Sequence, residues 1–148
     1  MKLILTLGAC AALLASAGCA TSKSYASCKQ DVERLKDAVS ETAFFLEALE
    51  LELQAADEAV RACDAQVDTC TAELWVGRLQ DIRLQTADER AQFVRANETW
   101  RAEACLDYTS TYRLNPPPPE RYRAYYENYD NAERRIGELI AQFEALGG

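Results

Sequence analysis

Four cysteines stand at two equal intervals: Cys28 and Cys63 are 35 positions apart, and so are Cys70 and Cys105. If the chain folds back on itself about a turn centred between Gln66 and Val67, Cys63 lies opposite Cys70 and Cys28 opposite Cys105. Both bridges then form in one register. Helix axes about 8 to 10 Å apart bring facing Cα atoms within the roughly 4.4 to 6.8 Å that a disulfide spans. The spacing therefore predicts an antiparallel hairpin with a clamp at each end, Cys28–Cys105 and Cys63–Cys70. The alternative is one continuous helix through Cys63 and Cys70, about two turns apart and unable to bond each other, with bridges that are intermolecular or absent. Zinc sites favour cysteine pairs about two to four residues apart, a spacing these four lack.

Apolar periodicity supplies the arms. From Cys28, residues Val32, Leu35, Val39, Thr42, Leu46, Leu49, Leu53, Ala56, Val60 and Cys63 alternate steps of four and three, which predicts a helix over 28–63. Phe44, Phe45 and Leu51 widen its apolar face enough to meet more than one helix. A second helix is expected over 70–112, carried by Trp75, Leu79, Ile82, Thr86, Phe93, Ala96 and Trp100 and interrupted at Glu89 or Arg90. Gly77 marks a close helix contact or a bend there, and Asp68 is the candidate cap.

Asn115 and the prolines 116–119 stop the second helix, because proline lacks the amide donor and restricts the residue before it. Beyond this extended connector, Tyr122, Tyr125, Tyr129, Ala132, Ile136, Leu139, Phe143 and Leu146 predict a third amphipathic helix over 120–146. The expected fold is all-α: an elongated antiparallel helical hairpin clamped by two disulfides, with a third amphipathic helix after the tetraproline connector. It forms one domain over 28–148.

The first residues read differently. Lys2 is followed by a largely apolar run from Leu3 to Leu14, then by the small residues 15–18 and Cys19. This is the layout of an export signal over 1–18, with an apolar core well short of the roughly 20 residues of a membrane-spanning helix. Ala15-Ser16-Ala17 fits cleavage that releases a chain starting at Gly18. Ser16-Ala17-Gly18-Cys19 resembles the bacterial lipobox. That resemblance implies a diacylglycerol on the Cys19 sulfur, an acylated amino group and stable anchoring. Ala20 stands where the family carries aspartate for inner-membrane retention, so the resemblance implies the outer membrane, facing the periplasm. Residues 19–27 read as a lipidated flexible tether. In that oxidising compartment the four remaining cysteines form disulfides.

From Cys19 onward the chain has 15 basic and 24 acidic residues and no histidine. This excess of negative charge disfavours nucleic acid and anionic headgroups and favours cationic partners. Without histidine, a glycine-rich phosphate loop, calcium-loop spacing or a nucleophile beside an activating group, the sequence points to a noncatalytic protein with no cofactor beyond the covalent lipid. Glu47, Glu50, Asp57 and Glu58 fall on outer helix faces and read as solvated surface. Tyr108, Tyr112 and Tyr126, with Arg121 and Arg123, surround the prolines and form the candidate partner-binding surface. The competing reading packs these tyrosines on the prolines and holds the connector against the bundle.

The expected function is that of a lipid-anchored structural or adapter module that binds another envelope protein, with homo-oligomerisation through the heptad stripes left open. A small inhibitor of cationic enzymes such as lysozyme is the alternative. The stretch from Ala91 to Cys105 is similar to part of one helical family of lysozyme-inhibiting lipoproteins. A phage-lysis outer-membrane component is a further alternative.

Overall fold

The computed structural model describes residues 23–65, 71–100, 102–109 and 114–147, and of residues 102, 103 and 122 the backbone alone. The expected export signal, residues 1–18, and Cys19, Asp68, Cys70 and Tyr112 lie outside the described residues. Helix α1 runs Tyr25–Asp64, α2 Ala72–Thr99, α3 Leu106–Thr109 and α4 Pro119–Gly147, with a 3-10 turn at Ala102–Cys105.

Helix α1 begins where a serine can cap it. The Ser24 hydroxyl accepts the Ser27 amide at 3.2 Å, satisfying one of the donors a helix start leaves open. The helix thus claims residues 25–27, which the sequence assigns to the tether. At about 1.5 Å per residue its 40 residues span roughly 60 Å. Its stripe is buried as the four-three spacing predicts, from Cys28 through Leu35, Val39, Thr42, Leu49 and Leu53 to Ala56 and Cys63.

Helix α2 starts after Thr71, whose carbonyl accepts the Leu74 and Trp75 amides at 3.1 and 3.2 Å. It ends at Thr99, thirteen residues short of the expected stop. At Trp100 the backbone turns extended, and the chain re-coils as the 3-10 turn and the single turn of α3. The break lets Trp100 pack on two of the three core clusters and brings Cys105 back over Cys28. Among the described residues Gly77 makes no close contact, since the space a Cβ would occupy is open to 4 Å, and the helix passes through it unbroken. Thr86, buried inside the helix, satisfies its hydroxyl by donating to the Ile82 carbonyl at 2.7 Å.

Helix α4 starts on the last of the four prolines, a first-turn position where the missing amide costs nothing. It is no appendage to a hairpin. It packs along both α1 and α2, closing a three-helix bundle in which α2 runs antiparallel to α1 and α4 runs parallel to it.

Among the described residues, three apolar layers fill the bundle. At the base, Cys28, Val32, Cys105 and Leu114 cluster. In the middle lie Leu35, Val39, Phe93 and Tyr129, with Tyr125 and Tyr126 against Phe93. The largest layer joins Leu49, Leu53, Leu79, Ile136, Leu139 and Phe143, where Trp75 stacks on Phe143 at 5.9 Å. Aromatic pairs at such separations add to the burial of area. Among the described residues no helix is long and apolar enough to cross a membrane.

Candidate functional site

The base of the bundle is where the chain's entry is tied down. Cys28 and Cys105 form a disulfide with Cα atoms 5.9 Å apart, bridging 77 positions. Beside it the Lys23 amide donates to the Ala104 carbonyl at 3.2 Å, and its ammonium reaches Asp31 at 2.6 Å and the Thr99 carbonyl at 3.1 Å. Asp31 is only 6 % exposed, and Arg34 approaches its other oxygen at 3.7 Å. A buried carboxylate needs such partners. At the far end of α1, Cys63 is buried and is not a free thiol; Cys70, the partner expected for it, is not among the described residues.

The five residues expected to bind a partner do not share one environment. Tyr108 is half-buried, its ring edge-on to Tyr25 at 5.3 Å and its carbonyl accepting the Leu114 amide at 3.3 Å. Tyr126 is half-buried against Phe93, and its hydroxyl accepts a hydrogen bond from the Asn97 side chain at 3.0 Å. Arg121 and Arg123 are exposed on the first turns of α4, and Tyr112 lies outside the described residues. Tyr108 and Tyr126 are thus each engaged by a neighbouring ring, with part of each side chain still accessible. The connector is held by Leu114, buried among Cys28, Val32 and Cys105.

Between α1 and α4, Arg135 reads two turns of α1 at once. Its guanidinium donates to both Glu50 oxygens at 3.0 and 2.9 Å and to Asp57. These bonds, together with one from Gln54, hold the Glu50 carboxyl below the usual carboxylate range. The same contacts, Asp57 foremost, hold the Arg135 proton more firmly than usual. Leu46, Leu49, Leu53 and Ala132 floor an open groove of about 340 Å³ beside this pair. Across the bundle Arg90 joins α2 to Asp130 and Glu133 of α4 at 2.6 and 3.1 Å. Glu50 and Asp57, read from sequence as solvated surface, are thus partners in the bundle's polar seam.

Charge is unevenly spread. Near the base, α1 alternates Lys29, Arg34 and Lys36 with Asp31, Glu33, Asp37 and Glu41, and Lys23 lies just ahead of it. Beyond residue 42 the same helix carries Glu47, Glu50, Glu52, Asp57, Glu58 and Asp64 against the single base Arg61. No group of three or more metal-ligating side chains occurs among the described residues.

No family model, no curated protein and no solved structure matches this chain. The geometry alone therefore carries the reading.

One face of α1 departs from the expectation. Phe45 faces inward, stacked on Tyr129 at 6.3 Å, but Phe44 and Leu51 are 74 % and 64 % exposed. They do not widen the core. With exposed Ala48 and Ala55 they form a second stripe, stepping by four, three and four, on the solvent side of α1. The signal was present: this series runs two positions out of phase with Thr42, Leu46, Leu49 and Leu53.

Proposed function

We propose that this protein is a noncatalytic, lipid-anchored module of the bacterial envelope, held by Cys19 in the outer membrane facing the periplasm. There it presents a rigid three-helix bundle to another envelope protein. The observation that carries this reading is the fixing of Lys23 to the base through Ala104, Thr99 and Asp31, only four positions after Cys19. Four residues reach at most about 14 Å, so an acyl group on Cys19 keeps the base of the bundle beside the bilayer. From there α1 carries its acidic half outward. The Cys28–Cys105 bridge supports an oxidising compartment. A second bridge, Cys63–Cys70, completes the clamp in this reading and closes the top of the hairpin.

Mass spectrometry of the chain extracted from membranes tests the anchor. The expected species begins at Cys19 and carries diacylglycerol and an N-acyl chain, and Cys19→Ala releases the protein into the soluble fraction. An unmodified chain beginning at Gly18 overturns the reading. Peptide mapping without reduction tests the second clamp, which is lost if Cys63 is found joined to anything but Cys70.

A further inference from the structure

The exposed stripe on α1 has a defined shape and a defined electrostatic frame. Phe44, Ala48, Leu51 and Ala55 lie within one narrow sector of the helix and run for about 16 Å along its axis. Glu47 and Glu58 border it on one side and Glu41 and Glu52 on the other. Only Glu52 among these four is ion-paired within the described residues, to Arg78. On the α2 side the stripe opens into a shallow groove of about 420 Å³, lined by Glu41, Phe44, Phe45, Glu89 and Gln92. It offers two phenyl rings, two carboxylates and an amide, with no cation among the described residues that line it.

We propose that this face of α1 docks a cationic amphipathic helix of a partner protein, leucine-like side chains lying along the stripe and lysine or arginine side chains reaching the flanking glutamates. A helix laid along another meets it at every third or fourth residue, which matches the repeat of the stripe. The α1–α2 groove takes one long basic side chain, its alkyl stem or guanidinium against Phe44 and its charge at Glu41 and Glu89.

Charge selects this occupant over the others. A second copy of the chain brings its own glutamate rows against these, which is unfavourable across an interface. A bilayer rich in anionic lipid repels the same rows. A basic helix gains on both flanks and buries Phe44 and Leu51, whose exposure otherwise goes uncompensated.

The proposal names the partner chemistry for the adapter reading and rests on it, but its test does not depend on lipidation. The exported chain carrying Cys19→Ser, which has no acyl group, is titrated with a fluorescent 18-residue helix bearing leucine on one face and lysine on its flanks. The control peptide has glutamate in place of lysine. The lysine peptide is expected to bind and the glutamate peptide not to bind. The double variant Phe44→Gln/Leu51→Gln is expected to weaken binding at least tenfold, while Leu106→Gln, an equally exposed leucine at the base, leaves it unchanged.

Both substitutions in the double variant fall on exposed side chains, and an unchanged circular dichroism melt verifies its fold. Equal binding by the double variant reduces the attraction to general charge and overturns the proposal. So does an absence of binding. Self-association of the parent chain that the double variant abolishes assigns the stripe to a second copy instead. Stripe-dependent binding to phosphatidylglycerol vesicles assigns it to lipid.

Discussion

Lys23 and Asp31 meet at 2.6 Å across the first two turns of α1, the lysine ahead of the helix and the aspartate buried within it. The ammonium is thereby the principal counterion of a carboxylate that water scarcely reaches. Among the described residues, removing it leaves Asp31 with Arg34 as its ion-pair partner, at 3.7 Å. Lys23→Ala is expected to cost about 1 to 3 kcal/mol in urea unfolding, the range for stranding a buried acceptor. Lys29→Ala, on an exposed neighbouring position, is expected to change stability by less than about 0.5 kcal/mol. Equal effects of the two would remove the special role given to Lys23.

The bridge between Cys28 and Cys105 closes a loop of 77 positions. In the chain-entropy picture a loop of that size contributes about 4.5 kcal/mol. The double variant Cys28→Ala/Cys105→Ala should therefore unfold at markedly lower urea, with the loss enlarged by the cavity left among Val32, Leu114 and Trp100. A midpoint unchanged within error would mean that the base is held without the bridge.

Gly77 sits in the interior of α2 with open space where a side chain would go. Gly77→Ala is expected to stabilise the protein by roughly 0.5 to 1 kcal/mol, because alanine restricts the unfolded chain and adds no clash. Thermal unfolding followed at 222 nm checks the sign, and a lower melting temperature would mean that the position makes a contact that alanine disrupts.

Arg135 and Arg134 are adjacent but differently engaged. Arg135 ties α4 to Glu50 and Asp57 across the bundle, whereas Arg134 pairs one turn along its own helix with Glu138 at 2.8 Å. Arg135→Ala is expected to cost about 1 kcal/mol and Arg134→Ala a few tenths, the usual value of an exposed pair within a helix. The Arg135 effect also has a pH signature. Glu50, held below its ordinary value, contributes stability that is present above the unfolded value of about 4.5 and is lost as pH falls through the folded one. The difference between parent and Arg135→Ala should accordingly narrow on acidification, as read by urea midpoints at pH 7 and pH 3.

Tyr129 gives the opposite signature at high pH. Burial raises its phenol above the ordinary value of 10.0, outweighing the hydrogen bond to Thr42. The neutral ring is thus favoured in the fold. Its stability contribution is complete below pH 10 and is lost as pH rises toward the folded value. Tyr129→Phe should melt close to the parent at pH 8, since the Thr42 contact at 3.4 Å is long, and should melt above the parent at pH 11. Parallel decline of the two proteins with pH would exclude this tyrosine as a source of alkaline sensitivity.

Much of the architecture is written locally. The four-three stripe of α1 names its buried residues because one helix face must leave water, and the equal cysteine intervals locate the Cys28–Cys105 contact through simple symmetry. The end of α2 is not written in this way. Arg101 to Glu103 contains no glycine or proline to signal a stop, yet the helix ends at Thr99, ahead of the segment that folds Cys105 onto Cys28. The third helix shows a related gap. Its stripe reveals that it must be covered, but heptads do not say by what, and the answer is both other helices together. The second stripe on α1 was hidden by the first. Phe44 adjoins Phe45, and hydrophobicity without angle assigns both to the core, although 100° of helical rotation separates them.

The bridge at the base also has a mechanical meaning. Tension on the chain ahead of Lys23 enters α1 one turn before Cys28, and there the covalent link shares it with the segment leading out of α2. Two helices are pulled from their adjoining ends instead of one being peeled from its neighbours. Extension must then shear the long core seams of the bundle in parallel, a stiffer response than unzipping them one turn at a time.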